Sequence, residues 1–191
     1  PLYAPELNLT GAVAISPASH LGEQVRYAQT HPETPSSAYG ALMLNSAAAM
    51  SPQVKLDEIL TPLGRERTAL TEDLCVGQLA REDGFKGLTS KDVMNLDADF
   101  TAFNQVFDTL GDSENLRPAV PLLVLQADND RVVLKQFTDA MVTRFKNVGA
   151  NVDYRLYTIG GDATVSNHQA TVPDSRADAM DWVRDRFMPV R

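Results

Sequence analysis

The hydrophobic and polar positions of this chain change rhythm twice, and the changes divide it into three parts. Near the start, Leu9-Thr-Gly-Ala-Val-Ala-Ile-Ser16 is a short apolar run stopped by Ser16-Pro17, which predicts a strand. A second run, Leu122 to Leu125, follows Pro121 and stops at a cluster of acidic and amide residues. Four consecutive apolar residues bounded by turn formers predict a strand buried on both faces, as in a parallel sheet. The first run is its natural neighbour. Val152-Asp-Tyr-Arg-Leu-Tyr-Thr158 alternates and is rich in β-formers, so it predicts a third strand.

Between the first two runs, from Ala18 to Arg117, no convincing strand appears and the rhythm is helical. The stretch 36–50 is dense in Ala, Leu and Met, and Tyr39, Leu42, Met43 and Ala47 are expected on one helix face. Thr61-Pro62 fits an N-cap followed by proline at the first helical position, opening a helix that would carry Leu70, Leu74 and Cys75 inward. The cleanest period lies over 98–110, where Phe100, Phe103, Phe107 and Leu110 fall three or four apart. After the second strand, Phe137, Met141 and Phe145 share a face of a helix predicted over 134–147, with Gly149 suited to the position past its end. Gly160-Gly161 begins a polar loop running through His168. Ser175-x-x-Asp178 then resembles a capping box for a last helix whose Ala179, Val183 and Phe187 face the sheet. The order strand, helical insertion, strand, helix, strand, helix is an α/β pattern with parallel strands. The expected division is a sheet segment at 1–17, a helical insertion at 18–117 that either packs passively or covers a site as a lid, and a second sheet segment at 118–191.

Composition narrows the class. Apolar content of 43% and charged content of 22% are those of a folded protein, and 191 residues suggest one domain, or one domain with a sizeable insertion. A formal charge of −8 argues against a nucleic-acid partner, which needs a basic face. No apolar run approaches the length of a bilayer span. The chain opens Pro1-Leu-Tyr-Ala, so any signal peptide is expected to be absent or removed upstream. The single cysteine, Cys75, has no internal partner; it is expected to be a small buried hydrophobe or one half of a bridge to another segment.

The chemistry concentrates beyond the buried strand. A carboxylate just past the carboxyl end of such a strand sits where open α/β sheets place their ligands. Asp130 and His168 are 38 positions apart, enough for one helix and one strand between them, so both are expected at the same sheet edge. An acid after one strand and a histidine after the next is the chain order that closes a Ser…Asp…His triad. Asp128 competes for the acid's place, although an Asp in a turn also caps its own backbone. His20, after the first strand, either lines the site or, the favoured reading, serves as a surface or capping residue, and His31, before Pro32, is read as structural. The histidines show no zinc spacing, and Gly160-Gly161 belongs to no phosphate-loop pattern. The nucleophile is missing. No serine stands in a G-x-S-x-G elbow, and Ser16 and Ser19 are only the nearest candidates.

Several of these stretches together resemble the secretory lipase family, the group typified by yeast lipase A enzymes with relatives in bacteria. They are Tyr3-Ala-Pro-Glu-Leu-Asn-Leu-Thr-Gly-Ala-Val-Ala14, Leu60-Thr-Pro-Leu-Gly-Arg65, Val120-Pro-Leu-Leu-Val-Leu-Gln-Ala-Asp-Asn-Asp-Arg-Val-Val133, Gly149-Ala-Asn-Val-Asp-Tyr-Arg-Leu-Tyr157 and Asp178-Ala-Met-Asp-Trp-Val-Arg-Asp-Arg-Phe187. The resemblance implies part of an α/β-hydrolase fold with a helical lid, secretion, and hydrolysis of carboxylic esters or lipids without a cofactor. Asp130 matches the family's triad acid and His168 its base. The serine elbow would then lie on an N-terminal half outside this chain, either the same gene product or a second chain, and Cys75 falls where relatives carry a cysteine bridged to that half. The alternative is a non-catalytic α/β module that binds a lipid or protein through the apolar face of the insertion.

Overall fold

A computed structural model of the chain describes residues 6–81, 83–110, 117–160 and 164–187. Residues 1–5 of the family-like opening and 161–163 of the loop before His168 lie outside them. The chain divides into two compact units, Pro1–His20 with Ser113–Arg191, and Leu21–Asp112.

The first unit is built on three parallel strands in the order β1-β2-β3: β1 (Ala12–Ile15), β2 (Leu122–Ala127) and β3 (Val152–Tyr157). Ala12 stands opposite Leu122, and Leu122 opposite Val152. β2 is central and almost entirely buried because both its faces are covered, which is why it reads as an unbroken apolar run. On one face Val124 packs with Met141, Val142 and Phe145 of α8 (Lys135–Asn147). On the other, Leu123 and Leu125 meet Trp182, Ala179 and Val183 of α9 (Thr164–Phe187). Gly11 makes room for that packing, since a Cβ there would lie 2.7 Å from the Trp182 ring. Gly149 ends α8 in the left-handed region (φ 77°), and the Ala150 amide donates back to Phe145 O, the helix stop its position suggests. Among the described residues β1 pairs only with β2, so its other edge is open. Over the face of β1 and β2 that looks toward α8, an apolar cavity of about 260 Å³ is lined by Ala12, Ala14, Leu122, Met141 and Phe145 among others.

The second unit is helical: α1 (Leu21–Thr30), α2 (Ala38–Met50), α3 (Leu56–Ile59), α4 (Pro62–Ala69), α5 (Val76–Leu79), α6 (Ser90–Val93) and α7 (Thr101–Leu110). Its core gathers Leu44, Ile59, Leu79, Phe85, Val93 and the Phe100, Phe103 and Phe107 stripe of α7. Thr61 caps α4 as its sequence predicts, its hydroxyl accepting from the Gly64 amide at 2.9 Å. The first and last helices are clasped: Arg26 donates to Asp108 at 2.7 Å, and Gln29 and Asn104 exchange side-chain hydrogen bonds.

Four expectations fail here, the simplest at the end of α9, where Phe187 is 73% exposed and does not face the sheet as Ala179 and Val183 do. α2 turns inward on Ala38, Ala41, Leu44 and Ala47, leaving Leu42 exposed. That helix is apolar nearly all round, so the larger side chains do not mark the buried face; close approach selects the small ones. The Thr61 helix stops at Ala69 in a 3-10 turn, so Leu70 and Leu74 pack on the core from beyond it while Cys75 is exposed at the start of α5. Ser175 is no N-cap. It is fully buried in the middle of α9, and its hydroxyl donates to Thr171 O.

Candidate active site

The site is built on the turn that leaves β2. The Asp128 amide donates to Tyr157 O and the Asp130 amide to Ala127 O, so the chain folds back immediately after the strand. Asp130 is 4% exposed. Its Oδ1 accepts from the backbone amides of Val132 at 2.8 Å and Val133 at 3.0 Å, an Asx-type turn in which the side chain substitutes for backbone acceptors. Its Oδ2 accepts from His168 Nδ1 at 2.8 Å and from Gln126 Nε2 at 3.3 Å. Burial is the largest single influence on this carboxyl and acts to raise its pKa. The His168 hydrogen bond, the Val133 amide, the His168 charge and the Val132 amide outweigh it together, and Asp130 sits below the usual carboxylate range.

His168 reaches this carboxylate from a helix, not from the polar loop expected. α9 begins at Thr164 and continues through Pro173 to Phe187. Its first half has no apolar stripe; the inward positions are Asn167, Thr171 and Ser175, spaced four apart and buried, with each hydroxyl donating to the carbonyl four residues before it. Small polar side chains that bond their own helix need no outside partner. The 17% exposure of the His168 side chain leaves the ring at the boundary of solvent while its acid partner is sealed. An ionised carboxylate only accepts, so the proton in the 2.8 Å bond is assigned to Nδ1, and Nε2 becomes the basic nitrogen.

Asp128 is exposed and accepts from Thr158 Oγ1 at 2.6 Å, a turn-stitching role. Neighbouring Asn129 donates to Ile159 O at 2.6 Å, so two side chains tie the acid turn to the segment after β3. His31 stacks on Tyr27 with ring centroids 3.7 Å apart. His20 and Ser16 hold left-handed backbone, with φ of 48° and 44°, in the link from β1 to α1; Ser19 is buried between them. The sequence reading missed Gln126, which is fully buried at the end of β2. A lone polar residue closing an otherwise apolar strand was the available signal. Among the described residues, no group of three acidic, histidine or cysteine side chains could hold a metal, and no helix is long and apolar enough to cross a membrane.

Known proteins give the same architecture. The chain is 25% identical to the secreted triacylglycerol lipase LIP4 of Malassezia globosa, a match covering 97% of this chain and 41% of that protein. The G231F mutant of the rice cell wall degrading esterase LipA from Xanthomonas oryzae superposes with a TM-score of 0.72 at 14% identity, over 96% of this chain and 52% of that one. Candida antarctica lipase A superposes at 0.58 and 19% identity, over 83% and 38%. The fold is thus that of the α/β-hydrolases, and this chain spans about two-fifths to one-half of the length of these relatives. The family model described as secretory lipase matches residues 1–190. The chain belongs to the secretory lipase family.

Proposed function

We propose that Asp130 and His168 are the acid and base of a Ser–His–Asp site that hydrolyses carboxylic esters, with the serine supplied from outside this chain. The observation that carries this reading is the 2.8 Å bond from His168 Nδ1 to a carboxylate that is itself sealed from water. Nε2 takes the serine proton as Oγ attacks the ester carbonyl carbon, and the carbonyl oxygen takes the negative charge. Collapse breaks the bond to the alcohol, which leaves with the Nε2 proton; water then cleaves the acyl-serine by the same two transfers. Asp130 stays ionised throughout, fixing the tautomer and stabilising the imidazolium.

G-x-S-x-G occurs nowhere in the 191 residues. The serine and its oxyanion-hole amide are assigned to an N-terminal half seated against the open edge of β1; the apolar cavity over the α8-side face of β1 and β2, a surface for that half to cover, supports the assignment. Residues 18–117 serve as the lid, and exposed Cys75 bridges to the same half. Without that half a base has nothing to activate, so this chain alone is expected to turn over little ester. Membership of a secretory family supports an extracellular location. The substrate is an ester or lipid, and the name of the Malassezia relative makes an acylglycerol the first to try.

The test is p-nitrophenyl ester turnover by the completed protein. Asp130→Asn and His168→Ala should each lower kcat by roughly 10³-fold or more; turnover equal to wild type in both would refute the assignment. A second reading, a non-catalytic module binding lipid through the insertion, draws on the exposed Leu42 and Met50 of α2. It expects vesicle binding that survives both substitutions and no turnover to lose.

A further inference from the structure

We propose that Gln126 is the positioning residue of this site, holding the acid in the orientation from which it meets His168; the inference rests on the triad reading above. Gln126 is fully buried, on the α8 face of β2. Its amide nitrogen donates to Asp130 Oδ2 at 3.3 Å and to Val133 O at 3.0 Å, and also lies 3.3 Å from Ala127 O. Its oxygen accepts from Thr138 Oγ1 of α8 at 3.3 Å, and Thr138 is itself fully buried. A primary amide sealed in an apolar layer costs stability unless its groups are bonded, so a Leu or Val there would be the simpler choice for a strand end.

What the amide adds is geometry. The two backbone amides fix Oδ1 and define one end of the carboxylate, but the plane could still rock about that end. Gln126 fixes the other end at the same oxygen that accepts the His168 hydrogen bond, and through Val133 O it closes the 126–133 loop around the acid. Thr138 aims the amide by holding its oxygen, so that the nitrogen faces the acid; the chain of contacts runs from α8 through Gln126 and Asp130 to the imidazole. Donating to Oδ2 also keeps the carboxylate charged opposite the imidazolium that forms during reaction.

The test uses the completed protein and two substitutions, Gln126→Leu and the near-isosteric Thr138→Val, beside Asp130→Asn. Gln126→Leu should lower kcat roughly tenfold, the loss of one hydrogen bond to a charged group, with KM unchanged. Thr138→Val should lower kcat in the same direction by a smaller factor while the protein melts within a few degrees of wild type. The downfield proton resonance of His168 Nδ1–H should shift or broaden in both. Unchanged kcat and an unchanged resonance in Thr138→Val, with Asp130→Asn inactive, would overturn the role of Gln126 alone. Activity retained in Asp130→Asn would overturn the triad reading itself. If Gln126→Leu does not fold, Thr138→Val decides the question.

Discussion

Replacing Asp130 by Asn keeps the shape of the side chain and removes its charge, and the structure sets the size of the effect. Oδ1 can keep its two backbone amides, at 2.8 and 3.0 Å. The new NH₂ then stands where Oδ2 was: it meets Gln126 Nε2 donor to donor, and it donates to His168 Nδ1 only if the imidazole moves its proton to Nε2, so a charge-assisted bond becomes a neutral one in the wrong tautomer. Hydrogen bonds to charged groups contribute about 1.5–3 kcal/mol each, and relief of the buried charge offsets part of the loss, leaving a net destabilisation of about 2 kcal/mol. For a chain of this size that lowers Tm by roughly 4–8 °C. The pH dependence follows from the direction of the Asp130 shift. Because the folded carboxyl ionises below its ordinary value of 3.8, its stabilisation is complete above that value and is lost as pH falls through the lower folded one. Thermal melts by circular dichroism, run across pH on both proteins, should therefore show a Tm gap at pH 7 that closes at the acid end. A gap that is absent at neutral pH, or equally wide at every pH, would refute the hydrogen-bonding scheme drawn for the site.

Gly64→Ala should destabilise by about 2–3 kcal/mol in denaturant melts, because the added Cβ would lie 2.0 Å from Val93 O and one backbone must move. Trp182→Ala should cost about 3–5 kcal/mol, since the ring is buried against Leu123 and Leu125 and carries the Arg186 guanidinium on its face; a loss under 1 kcal/mol would contradict that packing. Burial first, and then its hydrogen bond to Asp178, push Tyr157 up to about 12, so its phenol should stay protonated at pH 11 in an ultraviolet titration. That contribution to stability is present below the ordinary phenol value and is lost as pH rises through the folded one. Cys75 should react readily with a thiol reagent in this chain by itself and be blocked in the completed secreted protein; a reactive thiol there would remove the proposed bridge.

The parts legible in the sequence were those whose side chains declare their surroundings. Leu122 to Leu125 could only be a strand covered on both faces, and the α7 and α8 phenylalanines could only be helix stripes facing a core. Asp130 was legible because a carboxylate ending such a strand stands out. Elements missed were those whose buried side is small, polar or short. α1 meets the helical core mainly through Leu21 and Val25, too few positions to set a period. The first half of α9 hides Asn167, Thr171 and Ser175 inside, and hydroxyls that bond their own helix look like loop residues in one dimension. Gln126 was passed over because its partners come from Val133 and Thr138, and only folding brings them to it. The same limit hid the exposure of Cys75: α4 gives way to a 3-10 turn after Ala69 with no Gly or Pro over 65–75 to announce it.

The clasp between α1 and α7 bears on how the sheet can assemble at all. Ala12 and Leu122 are register partners 110 positions apart in the chain, and joining two ends of a long slack tether is entropically unfavourable. Once Arg26 meets Asp108 and Gln29 meets Asn104, the tether is pinched at its neck, and the free length left between the strands shrinks roughly fourfold, worth about 1.2 kcal/mol on the logarithmic scaling of loop closure. The helical unit can therefore mature on its own and hand the sheet two adjacent leads. Its interior can also be lengthened or rebuilt over generations without slowing the meeting of β1 with β2, as long as the neck stays shut.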